Sequence, residues 1–243
     1  MYRRVTPFAV AVAIAAASLS GCLKPTPEQR FDIAVMAPTP EGEAFRQFKK
    51  DFPEDFAQVR AQFSGPGAAD LTDEQIGQKA GTALRAFVAR NAAHTAAAPD
   101  ADLVALGQGN RDFIKALQRS NPALCAKFGM RGLDPGDTLD AQATQAASKV
   151  FLLQLRATRA GKVTPTPHAD IGNADGARLA EAIRANGTDE RILNMIASGM
   201  NTASPTDQCT GSVAMYEAVA SMPAPESARW TSFILKQAAQ SMR

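Results

Sequence analysis

Three cysteines, Cys22, Cys125 and Cys209, carry the most versatile side chains in this chain of 243 residues. A thiol can be alkylated, can pair into a disulfide, or can attack a substrate when a base lies beside it. The two histidines, His94 and His168, lie in an alanine-rich stretch and in a proline-rich loop. Neither setting is typical of a cysteine protease, so the sequence does not predict a catalytic cysteine.

Cys22 ends a segment whose residue types match a processing signal. A basic start precedes residues 8–17, which are purely apolar but too few to span a membrane, for which about 20 are needed. The run Leu19-Ser20-Gly21-Cys22 then resembles the lipobox of bacterial lipoproteins, which has an aliphatic residue, a small residue, Gly or Ala, and Cys. A plain signal peptide with a chance cysteine, or an N-terminal membrane helix, is the alternative.

The resemblance to bacterial lipoproteins implies both a cellular location and a membrane anchor. It implies that residues 1–21 are a signal peptide, that cleavage falls before Cys22, and that this cysteine then carries a diacylglycerol on its thiol and an acyl chain on its freed amine. The membrane would be a partner through these acyl chains, and the mature chain would face the periplasm. In enteric lipoproteins an Asp after the cysteine retains the protein in the inner membrane, so Leu23 favours the cell outer membrane.

The charge balance of the mature chain excludes one class of partner. Loss of residues 1–21 removes two of the 26 basic residues and none of the 24 acidic ones, so the formal charge becomes zero. Binding to a nucleic acid needs a basic surface that neutralises phosphates. We therefore predict no nucleic-acid partner.

Cys125 and Cys209 form an even pair in a chain predicted to be exported, which favours a disulfide between them. A capping residue followed by proline precedes each cysteine, at residues 121–122 (Asn-Pro) and 204–205 (Ser-Pro). This dipeptide is typical of a helix start, so each cysteine is predicted near the beginning of a helix. Two buried free thiols are the alternative.

Apolar residues recur at helical spacing along most of residues 42–243. Alanine, the strongest helix former, is abundant, and the period predicts eight or nine helices with almost no strand. The fold class is therefore all-α: an irregular multi-helix bundle with one disulfide. A stripe of phenylalanines between residues 45 and 63 is expected to face the core on a helix broken or bent at Pro53. A partner-binding or membrane-resting helix is the alternative.

Residues 22–41 are expected to differ from this helical domain. Pro-Thr-Pro occurs twice, at 25–27 and 38–40, and favours an extended backbone because proline fixes φ and lacks an amide donor. We interpret the segment as a Pro-rich tether between a lipidated Cys22 and the domain. Alternating apolar residues from Phe31 to Val35 also allow a short strand or a docked extended segment.

Two clusters of oxygen donors are candidates for a metal site, and both are better explained otherwise. Asn173 and Asp175 stand at the third and fifth places of a calcium loop whose first and twelfth places lack oxygen donors. Asp134, Asp137 and Asp140 are spaced by three, but a Pro-Gly turn separates the first two, and the others suit helix caps. We predict no metal and no cofactor.

One carboxylate offers a catalytic alternative. Glu226-Ser227 superficially resembles the Glu-Ser pair of lytic transglycosylases, whose glutamate acts as an acid with a raised pKa. The Gly-Leu-Met-Gln run of that family is absent after Ser227. A helix start after Pro225, with Glu226 in the first turn, is the structural explanation.

The leading prediction is a non-catalytic lipoprotein that binds another envelope protein, as an assembly factor, a secretion accessory or an immunity module. The sequence has no phosphate-binding glycine loop, no paired-histidine zinc motif and no Gly-x-Ser-x-Gly elbow. The alternative is a cell-wall hydrolase that uses a carboxylate such as Glu226. An enzyme should show a deep cleft around a buried carboxylate, and a binding module should show an exposed apolar patch.

Overall fold

The computed structural model describes residues 24–241, which form eleven α-helices, two single-turn 3-10 helices and no strand. The predicted all-α class is confirmed. No helix in this part of the chain combines the length and apolar character needed to cross a bilayer. The helices are α1 (Pro27–Met36), α2 (Pro40–Asp51), α3 (Pro53–Ala61), α4 (Asp73–Ala96), α5 (Asp100–Ser120), α6 (Pro122–Arg131), α7 (Ala141–Val163), α8 (Asn173–Ala185), α9 (Glu190–Ser198), α10 (Pro205–Ser221) and α11 (Ala224–Ser241).

Most helices begin at capping residues that the sequence displays. Thr72 and Gln75 form a reciprocal capping box at the start of α4, where each side chain accepts a hydrogen bond from the other residue's backbone N–H. Asn121 and Ser204 cap α6 and α10, and Asp140 caps α7. The predicted helix starts at these positions are confirmed.

The expectation of an extended tether over residues 22–41 is wrong for Pro27–Met36, which form α1 and not a strand or an extended segment. Thr26 and Gln29 form a capping box, and Pro27 occupies the first helical position, where a missing N–H has no energetic consequence. Phe31 and Val35 lie one turn apart on the same face and are 0% and 3% exposed. The Pro-Thr-Pro run therefore starts a helix rather than extending the chain.

The predicted core-facing stripe is confirmed, and it belongs to a cluster rich in aromatic rings. The first helix of the stripe ends before Phe52, and Pro53 begins the next one. The rings pack edge to face or stacked, as in Phe48 against Phe87, with centroids 4.8 Å apart. We call this set the phenylalanine core; its eight rings are Phe31, Phe45, Phe48, Phe52, Phe56, Phe63, Phe87 and Phe151.

A second apolar cluster joins α5, α6, α7, α10 and α11, and it contains both described cysteines. The sulfur atoms of Cys125 and Cys209 lie 2.03 Å apart, at disulfide-bonding distance, and their Cα atoms are 5.2 Å apart. The predicted single disulfide of the bundle is therefore present between α6 and α10.

A third cluster lies between α8, α9, α10 and α11 and is of a different composition. Its buried members include Leu179, Ile183 and Trp230. Around them pack partly buried, flexible side chains, which include four methionines: Met195, Met200, Met215 and Met222. We call the whole third cluster, with its buried and partly buried members, the methionine cluster.

Candidate functional site

The predicted lipidation residue, Cys22, lies outside the residues that the structure describes. The other two cysteines are 0% and 2% exposed, so they brace α6 against α10 and offer no accessible sulfur. Of the residues that sequence reasoning singled out for chemistry, this leaves the carboxylates.

Glu226 lies in the first turn of α11, as its structural explanation required. Its carboxylate pairs with the guanidinium of Arg178, and 25% of its side chain is exposed. The carboxylate of Glu226 is therefore already engaged by a protein cation. The neighbouring Ser227 is buried, and its hydroxyl donates to no acceptor that the structure describes. This geometry favours a first-turn ion pair.

The acids considered as metal ligands have protein partners. Asp134 and Asp137 both contact the ammonium group of Lys127, at 2.7 Å and 2.6 Å. Burial opposes the positive charge of Lys127, but hydrogen bonds and attraction from the two carboxylates outweigh it and raise its pKa. Asp175 caps the backbone N–H of Gly172 and pairs with an arginine of α11. Within residues 24–241 no three His, Cys, Asp or Glu side chains are grouped so that they could hold a metal ion.

A groove along α7 is the surface feature best suited to binding a partner. Its volume is about 690 Å³, and its α7 wall runs for roughly 20 Å at the helical rise of 1.5 Å per residue. We call it the α7 groove. Its lining residues are Gln47, Asp51, Asp102, Lys149, Leu152, Leu153, Arg156, Arg159, Ala160, Val163 and Thr164.

Two exposed arginines of this groove are each held by a sheltered carboxylate. Arg159 is 62% exposed and donates over 2.9 Å to Asp51, whose side chain is only 4% exposed. Gln47 also donates to Asp51, over 2.6 Å, and this bond fixes the carboxylate. Arg156 is 66% exposed and forms an ion pair of 2.6 Å with Asp102, whose side chain is 12% exposed.

This arrangement leaves the outer edge of each guanidinium available to a partner. A side chain that is already oriented loses less conformational freedom on binding. Arginine is also enriched among the residues that dominate binding energy at protein interfaces. The two pairs therefore suit recognition of carboxylates on a second protein.

The same groove carries apolar surface between its charged groups. Leu152 and Leu153 are partly buried, and Val163 is 75% exposed at the C-terminal end of α7. Val163 is one of three large apolar side chains that are exposed within the described part of the chain. Apolar surface bordered by charged groups is typical of a protein interface.

A smaller groove between α5 and α10 is more polar. Its volume is about 520 Å³, and its lining includes three cations and two acids. Lys115 is paired with Glu217 at 2.5 Å, and Arg111 with Asp112 at 2.6 Å. These pairs occupy most of its charge and leave little apolar surface for a protein partner.

Sequence reasoning missed the α7 groove. A signal was present in the spacing of Lys149, Arg156 and Arg159, which recur on one face of α7. Their carboxylate partners, Asp51 and Asp102, come from α2 and α5, and only the tertiary fold brings them to α7. Comparison with models of protein families, with curated proteins and with solved structures finds no match to this chain.

Proposed function

We propose that the mature chain is a lipoprotein of the cell envelope, acylated at Cys22, whose helical domain binds another envelope protein without catalysing a reaction. The run Leu19-Ser20-Gly21-Cys22 after a short apolar segment supports the anchor. The buried cysteine pair at bonding distance suits an oxidising compartment such as the periplasm. We assign the protein to the periplasmic face of the outer membrane because Leu23 follows the anchor residue.

The observation that carries the binding role is the α7 groove. Arg159 is oriented by a hydrogen bond to Asp51, Arg156 forms an ion pair with Asp102, and Leu152, Leu153 and Val163 line the same groove. Such a surface is complementary to a partner segment that presents apolar side chains together with carboxylates. An assembly factor, a secretion accessory and an immunity module all need a surface of this kind, and the identity of the partner distinguishes them.

Site-specific photocrosslinking in the intact cell envelope tests this proposal. A photoreactive amino acid at Val163 should capture one envelope protein, because this side chain is 75% exposed at the groove. The same amino acid at Ala185, an exposed position on α8, is the matched control. Mass spectrometry identifies the captured protein and so decides between the roles named above.

Charge reversal sharpens the test. The double substitution R156E/R159E should abolish capture at Val163, because it places carboxylates where the partner's carboxylates would lie. The substitution R184E, on an exposed arginine of α8, should leave capture unchanged. Equal capture at Val163 and Ala185, or capture at Val163 that survives R156E/R159E, would overturn the proposed binding surface.

A further inference from the structure

The outward face of α1 is apolar and uncharged. Ile33 is 49% exposed and Met36 is 70% exposed, and they lie three residues apart on one side of the helix. Gln29, also exposed, lies one turn before Ile33 on the same side. With Val163 of the α7 groove, Ile33 and Met36 make up all the exposed large apolar side chains of residues 24–241.

Ion pairs hold both flanks of α1 and turn its charges away from this face. On one flank, Arg30 donates over 2.6 Å to Asp73, at the start of α4. On the other flank, Asp32 accepts two hydrogen bonds from Arg60 of α3, at 2.9 Å and 2.7 Å. Glu28 also contacts Arg60, at 2.5 Å. The orientation of α1 about its own axis is therefore fixed.

The inner face of α1 prevents the helix from swinging away from the domain. The ring of Phe31 is fully buried and stacks on Phe63, with centroids 4.6 Å apart. It also meets Phe45 edge to face at 5.4 Å. The helix that follows the anchor residue is consequently part of the core and not a flexible spacer.

The length of chain before α1 limits how far the domain can stand from a membrane. Five residue steps separate Cys22 from Pro27, and a fully extended chain covers at most about 3.6 Å per step, or roughly 18 Å in total. So short a connection keeps the start of α1 within roughly 18 Å of the lipid to which Cys22 would be attached. The part of the domain nearest to the membrane is therefore α1.

From these observations we infer that Ile33 and Met36, on the outward face of α1, rest in the surface of the phospholipid bilayer to which Cys22 is attached. The inference rests on the proposed acylation of Cys22. The helix lies flat on the membrane, and its apolar side chains reach about 5–10 Å into the boundary between headgroups and acyl chains. The contact needs no anionic lipid because the face carries no charge. It orients the domain, so that every copy presents the same surfaces to the periplasm.

Fluorescent labels on the acylated mature protein test the inference in vesicles of phosphatidylcholine. Single cysteines replace Ile33 (I33C), Met36 (M36C) or, as the matched exposed apolar control, Val163 (V163C), and each carries the environment-sensitive dye NBD. The paired Cys125 and Cys209 leave the new thiol as the one that reacts. Nitroxide groups placed at known depths in the lipid report the depth of each dye, and the mass of the N-terminal peptide reports acylation at Cys22.

We expect strong nitroxide quenching and blue-shifted emission for the dye at positions 33 and 36, insensitive to high salt, and water-like emission at position 163. If Cys22 carries its acyl chains but the dye at position 33 stays in water, the inference is overturned and the anchor stands. If Cys22 is unmodified, the proposed anchor itself is overturned, and the inference falls with it. A blue shift in the vesicles without nitroxide quenching would show that protein and not lipid covers this face, and it would also overturn the inference.

Discussion

The phenylalanine core and the methionine cluster are built on different principles. The phenylalanine core interlocks rigid rings, of which Phe31, Phe45 and Phe48 are at most 1% exposed. The methionine cluster surrounds a smaller buried set with thioether side chains that are only partly buried. Aromatic rings in edge contact fix one geometry, whereas methionine side chains adapt to many.

Because of this difference, we expect α1 to be held more rigidly than α8 and α9. The phenylalanine core holds α1, the helix next to the proposed anchor, in one fixed orientation. The methionine cluster lies further along the chain, where α8 and α9 are tied to the rest mainly through α10. The α7 groove lies against the rigid part, because Leu152 of its lining packs on the phenylalanine core.

Removal of the disulfide should have the largest effect on stability, and it should loosen the methionine cluster more than the phenylalanine core. Replacement of both cysteines by alanine removes a cross-link between residues that are 84 positions apart. In the chain-entropy model this lowers the free energy of unfolding by about 4–5 kcal/mol. Urea unfolding measures the loss. Hydrogen exchange should then rise first in α8, α9 and α10, while α1 to α4 stay protected. Equal loss of protection in both regions would contradict the comparison.

Truncation of a core ring should be nearly as costly. Phe31→Ala removes a fully buried ring that contacts three other phenylalanines, and a loss of about 4 kcal/mol is expected for such a cavity. Met195→Ala in the methionine cluster should cost only about 1 kcal/mol, because the side chain is partly exposed and its neighbours can close the gap. Urea unfolding of both variants decides whether the two regions differ in this way.

Two buried glycines provide a matched pair for the same comparison. A Cβ at Gly42 would lie 2.2 Å from the carbonyl oxygen of Ala37, which is backbone and cannot move aside cheaply. A Cβ at Gly211 would meet side-chain atoms alone: the sulfur of Met200 at 2.5 Å, the terminal methyl of Met195 at 2.9 Å and Cγ1 of Ile196 at 3.3 Å. Gly42→Ala should therefore cost about 2 kcal/mol.

Gly211→Ala should be close to neutral, because the methionine side chains can shift and alanine gains about 1 kcal/mol of helix propensity. Thermal unfolding of the two variants under one set of conditions gives the comparison directly. Similar destabilisation by both substitutions would show that the methionine cluster is as rigid as the phenylalanine core.

The smallest expected effect is at the flank of α1. Hydrogen bonds from Arg60 lower the pKa of Asp32, burial works against this, and the guanidinium charge adds to it. Because the folded-state pKa is depressed, the pair stabilises the protein above the unfolded value of about 3.9, and the contribution is lost as the pH falls through the folded-state pKa. Both side chains are about 40% exposed, so solvent screening limits the contribution to about 0.5 kcal/mol.

Asp32→Asn tests this pH dependence. At pH 7 the variant should unfold at slightly lower urea concentration than the unmodified protein, and the difference should shrink as the pH falls below the unfolded-state pKa of about 3.9 and vanish below the folded-state pKa. A difference that grows on acidification would have the wrong sign for a depressed carboxylate pKa. Circular dichroism during urea titration at several pH values measures it.

Local signals explain which parts of the fold could be predicted from the sequence. Helix starts at Thr72, Asn121 and Ser204 depend on neighbours within three residues, and the phenylalanine stripe depends on a period of three to four. Both kinds of signal lie within a short stretch of consecutive residues. The pairing of Cys125 with Cys209 followed from the number of cysteines and the expected compartment.

Tertiary contacts explain what could not be predicted. The Pro-Thr-Pro run at residues 25–27 is compatible with an extended chain or with a helix start, and the buried contacts of Phe31 decide between them. The α7 groove depends on Asp51 and Asp102 reaching arginines that are 108 and 54 positions further along the chain. No period or local motif contains such pairings.

Mass spectrometry of the N-terminal peptide, taken from the membrane fraction of cells that express the full chain, tests the central claim most directly. The account predicts that the chain starts at Cys22, carries a diacylglycerol and an amide-linked acyl chain on that residue, and is lost from the membrane when Cys22 is replaced by alanine. A chain that begins at Met1, without acyl groups and in the soluble fraction, would contradict the account.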